Sequence, residues 1–315
     1  MKYALITSAR NEESYITKTL ESVTTQMVLP ERWIITDDGS TDRTAEIIEG
    51  YAARFPWITL VQNPKRQDRH FGGKAKAVNA ALKYLEREQF DIVGNLDADI
   101  SFGPDHFEFL LRKFSEDPRL GVAGTAYMEK IWDSTKDSFE GETSVHGACQ
   151  LFRIECFRQI GGYVESRAGG VDSIAVMTAR MMGWKTLNFP ERRFYHHRNM
   201  GTAERSAVAA MFDYGMKDYY LGGSPIWQLF RVGYRLAKKP YVLGGCALLL
   251  GYSWAAVKRM KRPVSRELMS FHRREQMRKL KAILGAMIRF NKIENFYLPV
   301  GVEKKESPRQ PIQLF

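Results

Sequence analysis

Along the first half of the chain, short apolar runs alternate with longer stretches whose apolar residues recur three and four positions apart. The runs at 3–7, 33–36, 58–62, 92–96 and 121–126 predict buried strands. The stretches between them predict helices. Residues 15–26 place Ile16, Leu20 and Val23, with Met27 just beyond, on one face, and Thr41-Asp42-Arg43-Thr44 caps a helix running to about Arg54. A polar loop at 63–73 precedes a helix over 74–87, and a Gly-Pro turn at 103 and 104 opens another over 105–115. Strand and helix in strict alternation predict an α/β fold with a mostly parallel sheet.

Beyond residue 150 the pattern loosens. Helices are expected at 154–160 and 172–182, short strands at 186–189 and 194–197, and a long helix at 203–221. From 225 onward the chain reads as helical and basic, with a last helix over 267–289 and a loose tail over 299–315. Residues 241–257 are apolar throughout and bracketed by basic clusters, at the lower limit of length for a membrane span. An interfacial or re-entrant helix, or one buried in protein, fits that stretch as well.

Composition changes this picture only through where the charge lies. The 315 residues are 44% apolar and 26% charged, which excludes disorder and collagen-like structure and suits one large domain with an extension. The net charge is +11, yet residues 230–292 hold 16 Lys and Arg against Glu267 and Glu275, a local charge of +14. The rest of the chain, with 31 basic and 34 acidic residues, stands at −3. A near-neutral body thus carries a basic segment, suited to an anionic membrane surface, a solvated helix face or RNA. No nucleic-acid-binding motif supports the last, so no nucleic-acid partner is expected. Cys149, Cys156 and Cys246 form no paired framework or metal pattern, which suggests packing roles in a reducing compartment. The first residues run straight into a strand, so no signal peptide is expected.

In open α/β sheets ligands bind at the carboxyl ends of strands, so those exits come first. The first strand leads into Ser8-Ala9-Arg10-Asn11-Glu12-Glu13, the second into Asp37-Asp38-Gly39-Ser40-Thr41-Asp42, and the fourth into Asp97-Ala98-Asp99. No GxGxxG follows the first strand, which argues against a dinucleotide cofactor. Asp97 and Asp99, two apart, can point the same way, and paired carboxylates attract a hard divalent cation, although a turn pair reads equally well. By themselves Asp37-Asp38-Gly39-Ser40 read more readily as a helix-entry turn than as a site.

Taken together and in order, these motifs, with Gly73-Lys74-Ala75-Lys76-Ala77-Val78-Asn79, resemble family 2 of the nucleotide-diphospho-sugar glycosyltransferases across roughly residues 3–225. The resemblance implies a GT-A fold and a nucleotide-sugar donor, most simply a UDP-sugar. It implies that Asp37 accepts a hydrogen bond from the base and that Ala9 lines the base pocket. Asn11 and Glu12 of the first turn, Asp38 and Lys74 complete the nucleotide side, with Asp97 at the ribose or a metal-bound water. Asp99 becomes the ligand of a Mg2+ or Mn2+ ion on the diphosphate. Gly161-Gly162-Tyr163, followed by Val171-Asp172, resembles the element that carries the general base, which makes Asp172 the catalytic residue; Val171 stands where the family has a second acid. By itself Asp172 reads as a helix N-cap. Of His196 and His197 only one can face inward, and His196 is the expected third metal ligand. Trp132 and His146-Gly147-Ala148 resemble the acceptor side, without a specific role.

The expected organisation is a GT-A catalytic domain over 1–224, a basic, membrane-associating helical extension over 225–298 and a flexible tail over 299–315. The expected acceptor is a saccharide or lipid-linked saccharide, met at the cytoplasmic face of the membrane. A sugar nucleotidyltransferase shares the architecture, but it would want a Gly-rich, basic first loop where this chain has Ser8-Ala9-Arg10-Asn11-Glu12.

Overall fold

The computed structural model describes residues 1–64, 75, 78–80, 89–129, 134, 141–166, 169–198 and 206–289. Lys74, Trp132, most of the helix expected over 74–87 and the tail over 299–315 lie outside the described residues. The described residues form two compact units, one of residues 1–166 and 171–197 and the other of 169–170, 198 and 206–289.

The first unit is a mixed sheet between two helical layers. Its strands are β1 (Tyr3–Ala9), β2 (Arg32–Asp37), β3 (Ile58–Gln62), β4 (Ile92–Asp97), β5 (Ile100–Phe102), β6 (Leu120–Met128), β7 (Cys149–Arg153) and β8 (Lys185–His196). They lie in the order β3-β2-β1-β4-β7-β6-β8-β5. The pairs β3–β2, β2–β1, β1–β4 and β6–β8 are parallel, while β7 runs antiparallel to β4 and β6, and β5 antiparallel to β8.

Strand alternation sets the two cores. Tyr3 and Leu5 of β1 pack under α1 (Ile16–Thr24), α2 (Thr44–Arg54) and α3 (His106–Glu116). Ala4 and Ile6 face the other way, onto α4 (Ile154–Gln159), α5 (Val171–Met181), Ala75 and Val78. Strands buried on both faces read as continuous apolar runs, which is why β1, β2 and β4 are visible in the sequence.

Three expectations need correction. The two strands expected at 186–189 and 194–197 are one, β8, in which Thr125 faces Phe189 but Ala126 faces Arg193. Pro190 cannot donate to a ladder, so the chain bulges there and then resumes its pairing. Asp172 is not an N-cap but lies within the first turn of α5, where the helix dipole favours a carboxylate. Cys149 and Cys156 are buried, but Cys246 is exposed.

The second unit comprises α6 (Ala207–Tyr220), α7 (Pro225–Leu236), α8 (Tyr241–Val257) and α9 (Arg266–Ile288). Glycine lets two backbones meet: a Cβ on Gly215 of α6 would lie 2.8 Å from the Tyr252 nitrogen of α8, and one on Gly251 would lie 2.8 Å from the Phe212 carbonyl carbon of α6. The turn at 222–224 is held from three sides. Tyr252 Oη donates to the Gly223 carbonyl at 3.0 Å, Arg273 Nε to the Gly222 carbonyl at 2.9 Å, and the Ser224 N–H to Gln276 Oε1 at 2.7 Å.

Candidate functional site

The exits of β1 and β2 form one interlocked surface. Ala9 and Asp37 are in register, and the Asp38 N–H donates to the Ala9 carbonyl at 2.9 Å. Asn11 takes a left-handed conformation with φ 54°, which Asn tolerates better than most side chains. Its N–H donates to Ser40 Oγ at 3.0 Å and its Oδ1 accepts from the Thr41 N–H at 2.8 Å. Asp37 is buried, and its carboxylate accepts from the Ser40 N–H at 3.2 Å and from the Ser40 hydroxyl. The Glu12 N–H donates to Thr44 Oγ1 at 2.8 Å. Asp42 anchors the entry to α2: burial raises its pKa, but hydrogen bonds from Thr44 and the Glu13 N–H outweigh this and lower it. The Asp37 carboxylate thus shapes the loop at the strand exit, as the turn reading expects.

At the exit of β4, the short strand β5 decides the geometry. It pairs Ile100 with His196, and the His197 N–H donates to the Asp99 carbonyl at 2.9 Å, tying the Asp97-Ala98-Asp99 turn to the end of β8. Asp97, Asp99 and His196 consequently each offer a ligand atom within 4.8 Å of the others. Asp99 and His196 are both 7% exposed, with Nε2 of the histidine 3.6 Å from Oδ1 of the aspartate. His197 turns away: its Nε2 lies 2.8 Å from Ser101 Oγ and its ring stacks on Tyr15. Burial, with Lys18 and His196 nearby, lowers the His197 pKa.

Two carboxylates and an imidazole fit a hard or borderline divalent cation.

Asp172 sits beyond this cluster on the first turn of α5, against a strap of backbone. A Cβ on Gly147 would lie 2.7 Å from Asp172 Cγ, so the carboxylate fills the space over that glycine. Asn95, 3% exposed in the middle of β4, donates from Nδ2 to the Gly147 carbonyl at 2.9 Å. Tyr163 lies close enough to Asp172 and Asp97 that, after burial itself, their charges push its pKa well above the usual value. Its hydroxyl donates to Gln150 Oε1 at 2.6 Å, and Asn79 clasps its backbone, donating to its carbonyl at 2.7 Å and accepting from its N–H at 3.1 Å. Sequence reasoning placed Asn79, Gly147 and Tyr163 only within motifs or stretches, giving none of them an individual role, and passed over Asn95 and Gln150. Asn95 had a signal, a carboxamide inside the apolar run Ile92-Val93-Gly94-Asn95-Leu96. Of the expected site residues, Ala9, Asn11, Glu12, Asp37 and Asp38 come together at the β1 and β2 exits, and Asp97, Asp99 and His196 at the β4 exit.

The family model for glycosyl transferase family 2 matches residues 4–161, half of the chain. The chain belongs to that family. Among relatives of this chain, the succinoglycan biosynthesis protein ExoA of Rhizobium meliloti (strain 1021) is 27% identical over 190 residues, covering 52% of this chain and 53% of that protein. The chondroitin synthase of Pasteurella multocida (strain Pm70) is 32% identical over 117 residues, covering 37% of this chain and 11% of that protein. The chain thus spans about half, or far less, of the curated relatives it matches. Among solved structures, the mannosyltransferase PcManGT from Pyrobaculum calidifontis, in complex with GDP-Man and Mn2+, superposes with a TM-score of 0.55 at 19% identity, covering 93% of this chain and 81% of that one. Residues 1–349 of S. aureus TarS give a TM-score of 0.55 at 16% identity, covering 94% and 89%. These likenesses establish the GT-A fold expected from the motifs.

Proposed function

We propose that this chain is an inverting, metal-dependent glycosyltransferase. It would move a sugar from a nucleotide-sugar donor, most simply a UDP-sugar, to a hydroxyl of a saccharide or lipid-linked saccharide in surface or exopolysaccharide synthesis. The observation that carries the reading is the convergence of Asp97, Asp99 and His196 at one strand exit, in a family 2 fold. ExoA and the chondroitin synthase support the polysaccharide assignment by their names, and the PcManGT complex with Mn2+ supports the cation.

The residues divide the work as follows. Ala9, Asn11, Glu12, Asp37 and Asp38 shape the nucleotide pocket, Asp37 accepting from the base. Lys74, outside the described residues, would meet the nucleotide phosphates at a helix start. Asp97 would meet the ribose or a water beside the cation, and Asp99 with His196 would hold Mg2+ or Mn2+. When bound there, such an ion would supply positive charge against that growing on the departing nucleoside diphosphate. Asp172 takes the proton from the acceptor hydroxyl as its oxygen attacks the anomeric carbon and the bond to the diphosphate breaks. By role, residues 1–224 form the catalytic domain and 225–298 an extension that holds the enzyme, peripherally, at the inner face of the membrane, where a lipid-linked acceptor resides. Nucleic acid has no part in this reading.

UDP binding measured by calorimetry tests the donor site. Mn2+ should strengthen it at least about tenfold in the wild type and have little effect in Asp99→Asn. A donor site indifferent to both would be wrong as assigned. Asp172→Asn should bind UDP normally and lose transfer by a factor of at least ~100; retained turnover would remove Asp172 as the base. Release of UDP, GDP and dTDP from a panel of donors would identify the nucleotide.

A further inference from the structure

Among the described residues, helix α8 is apolar all round yet covered on one side only. Gly244, Gly245, Ala247, Leu248, Gly251, Tyr252 and Ala255 are buried, and they contact α6 and α7 within the second unit. The opposite face carries Val242, Leu243, Cys246, Leu250, Trp254 and Val257, all exposed and spaced three and four apart. Val257 is 79% exposed and Leu243 64%. Helix α7 continues the pattern, with Ile226 at 61% and Leu229 at 60%, and Leu236 of α7 packs on Gly245 of α8. A helix apolar on every face belongs in a core or in lipid, and adjoining apolar faces exceed the scattered exposure of an ordinary surface.

We infer that the outer face of α8, continued by α7, lies in the plane of an anionic membrane with its apolar side chains among the acyl chains. This rests on the membrane role proposed above and specifies the surface that performs it. At 17 residues α8 is about 25 Å long. Among the described residues no helix is long and apolar enough to cross a membrane. The charges at its ends select the occupant. Lys238 and Lys239 precede α8, and Lys258, Arg259, Lys261 and Arg262 follow it, while α8 itself has no charged residue. Lys258 sits 4.9 Å over the Trp254 ring, which brings a cation to the apolar margin where lipid phosphates lie. A second copy is a poor occupant. Pairing α8 with α8 in either direction sets one cationic cluster against another.

The chain carries its own reporter. Cys246 lies on the exposed face, whereas Cys149 and Cys156 are buried, with burial the leading cause that pushes the Cys156 thiol up to about 12. The full chain is mixed with vesicles of equal parts phosphatidylglycerol and phosphatidylcholine, and its reaction with a charged maleimide is followed. Bound protein should react at Cys246 at least about tenfold more slowly than free protein. Leu250→Glu/Val257→Glu should weaken sedimentation with the vesicles at least about tenfold without moving the melting temperature, because both side chains are exposed. If the wild type sediments with the vesicles while Cys246 reacts at its free rate and the double variant binds equally well, the membrane role survives and this face is wrong. If the wild type does not sediment, the membrane role falls as well. A dimer in light scattering that the double variant splits would assign the face to a second copy and overturn the inference.

Discussion

Gly147 has no side chain, and Asp172 occupies the space that one would fill. The carboxylate rests on a backbone strap that Asn95 holds by its carbonyl, so a polar residue buried mid-strand and a glycine together set where the proposed base can sit. Asn79 acts in a similar way, since both of its amide atoms bond the backbone of Tyr163, which follows the left-handed Gly162 at φ 74°. Such residues are positioning residues because they act through others, and a displacement of about 1 Å can cost a hundredfold in rate. Gly147→Ala should therefore lower kcat by about 10- to 100-fold while leaving UDP affinity and the donor KM within about threefold. Initial rates across donor concentrations, with calorimetric UDP binding, check this; an unchanged kcat would show that Asp172 does not depend on the strap. The signal for Asp172 in the sequence was a motif, whereas its seat depends on contacts between residues 147 and 172 that no local pattern carries.

The strands and helices that sequence reasoning found are those with long, two-sided apolar runs or a clean helical stripe, such as β1, β4, α1 and α8. It missed β5 and β7. Ile100-Ser101-Phe102 is too short to show alternation, and Cys149–Arg153 takes its order from antiparallel pairing with β4 and β6 rather than from its own pattern. The loss mattered, because β5 is what ties His196 to the aspartates; the sequence offered two adjacent histidines, and only the register with Ile100 separates them. Helix α3 has a further device at its start. His106 is 1% exposed, its Nδ1 has no partner, and its ring stacks on Phe102 at 4.6 Å. Burial pushes its pKa down to about 3, with Asp105 opposing and Arg192 adding to the effect. The native imidazole is thus neutral where the unfolded one, near 6.5, takes up a proton. Stability falls as pH drops from 6.5 towards 3, by up to about 1.4 kcal/mol per unit. Between pH 7 and about 4.5 the wild type should lose roughly 2–3 kcal/mol more than His106→Gln does over the same interval, in urea unfolding. Equal losses would mean that His106 is charged or exposed in the native protein.

At the scale of the whole molecule, two numbers with opposite signs replace the single net charge. Residues 230–292 carry +14 and the rest −3, so the carboxylates that would hold a cation and the cations that would hold a membrane are separate parts of the chain. Their responses to salt should separate too. Raising NaCl from about 0.1 M to about 1 M shortens the screening length from ~10 Å to ~3 Å, which weakens exposed charges far more than buried ones. The basic residues flanking α8 are largely exposed, and each near-surface cation contributes about 1 kcal/mol to binding an anionic leaflet. Asp99 and His196 are buried. Association with phosphatidylglycerol vesicles should therefore fall at least about tenfold across that range, while Mn2+-dependent UDP binding changes less than about twofold. The association should also level off rather than vanish, because the apolar face of α8 is insensitive to screening, and that remainder should disappear in Leu250→Glu/Val257→Glu. Sedimentation and calorimetry on the same preparation read both curves. Parallel loss of the two activities would place them on one electrostatic surface and end the division between catalytic body and basic extension.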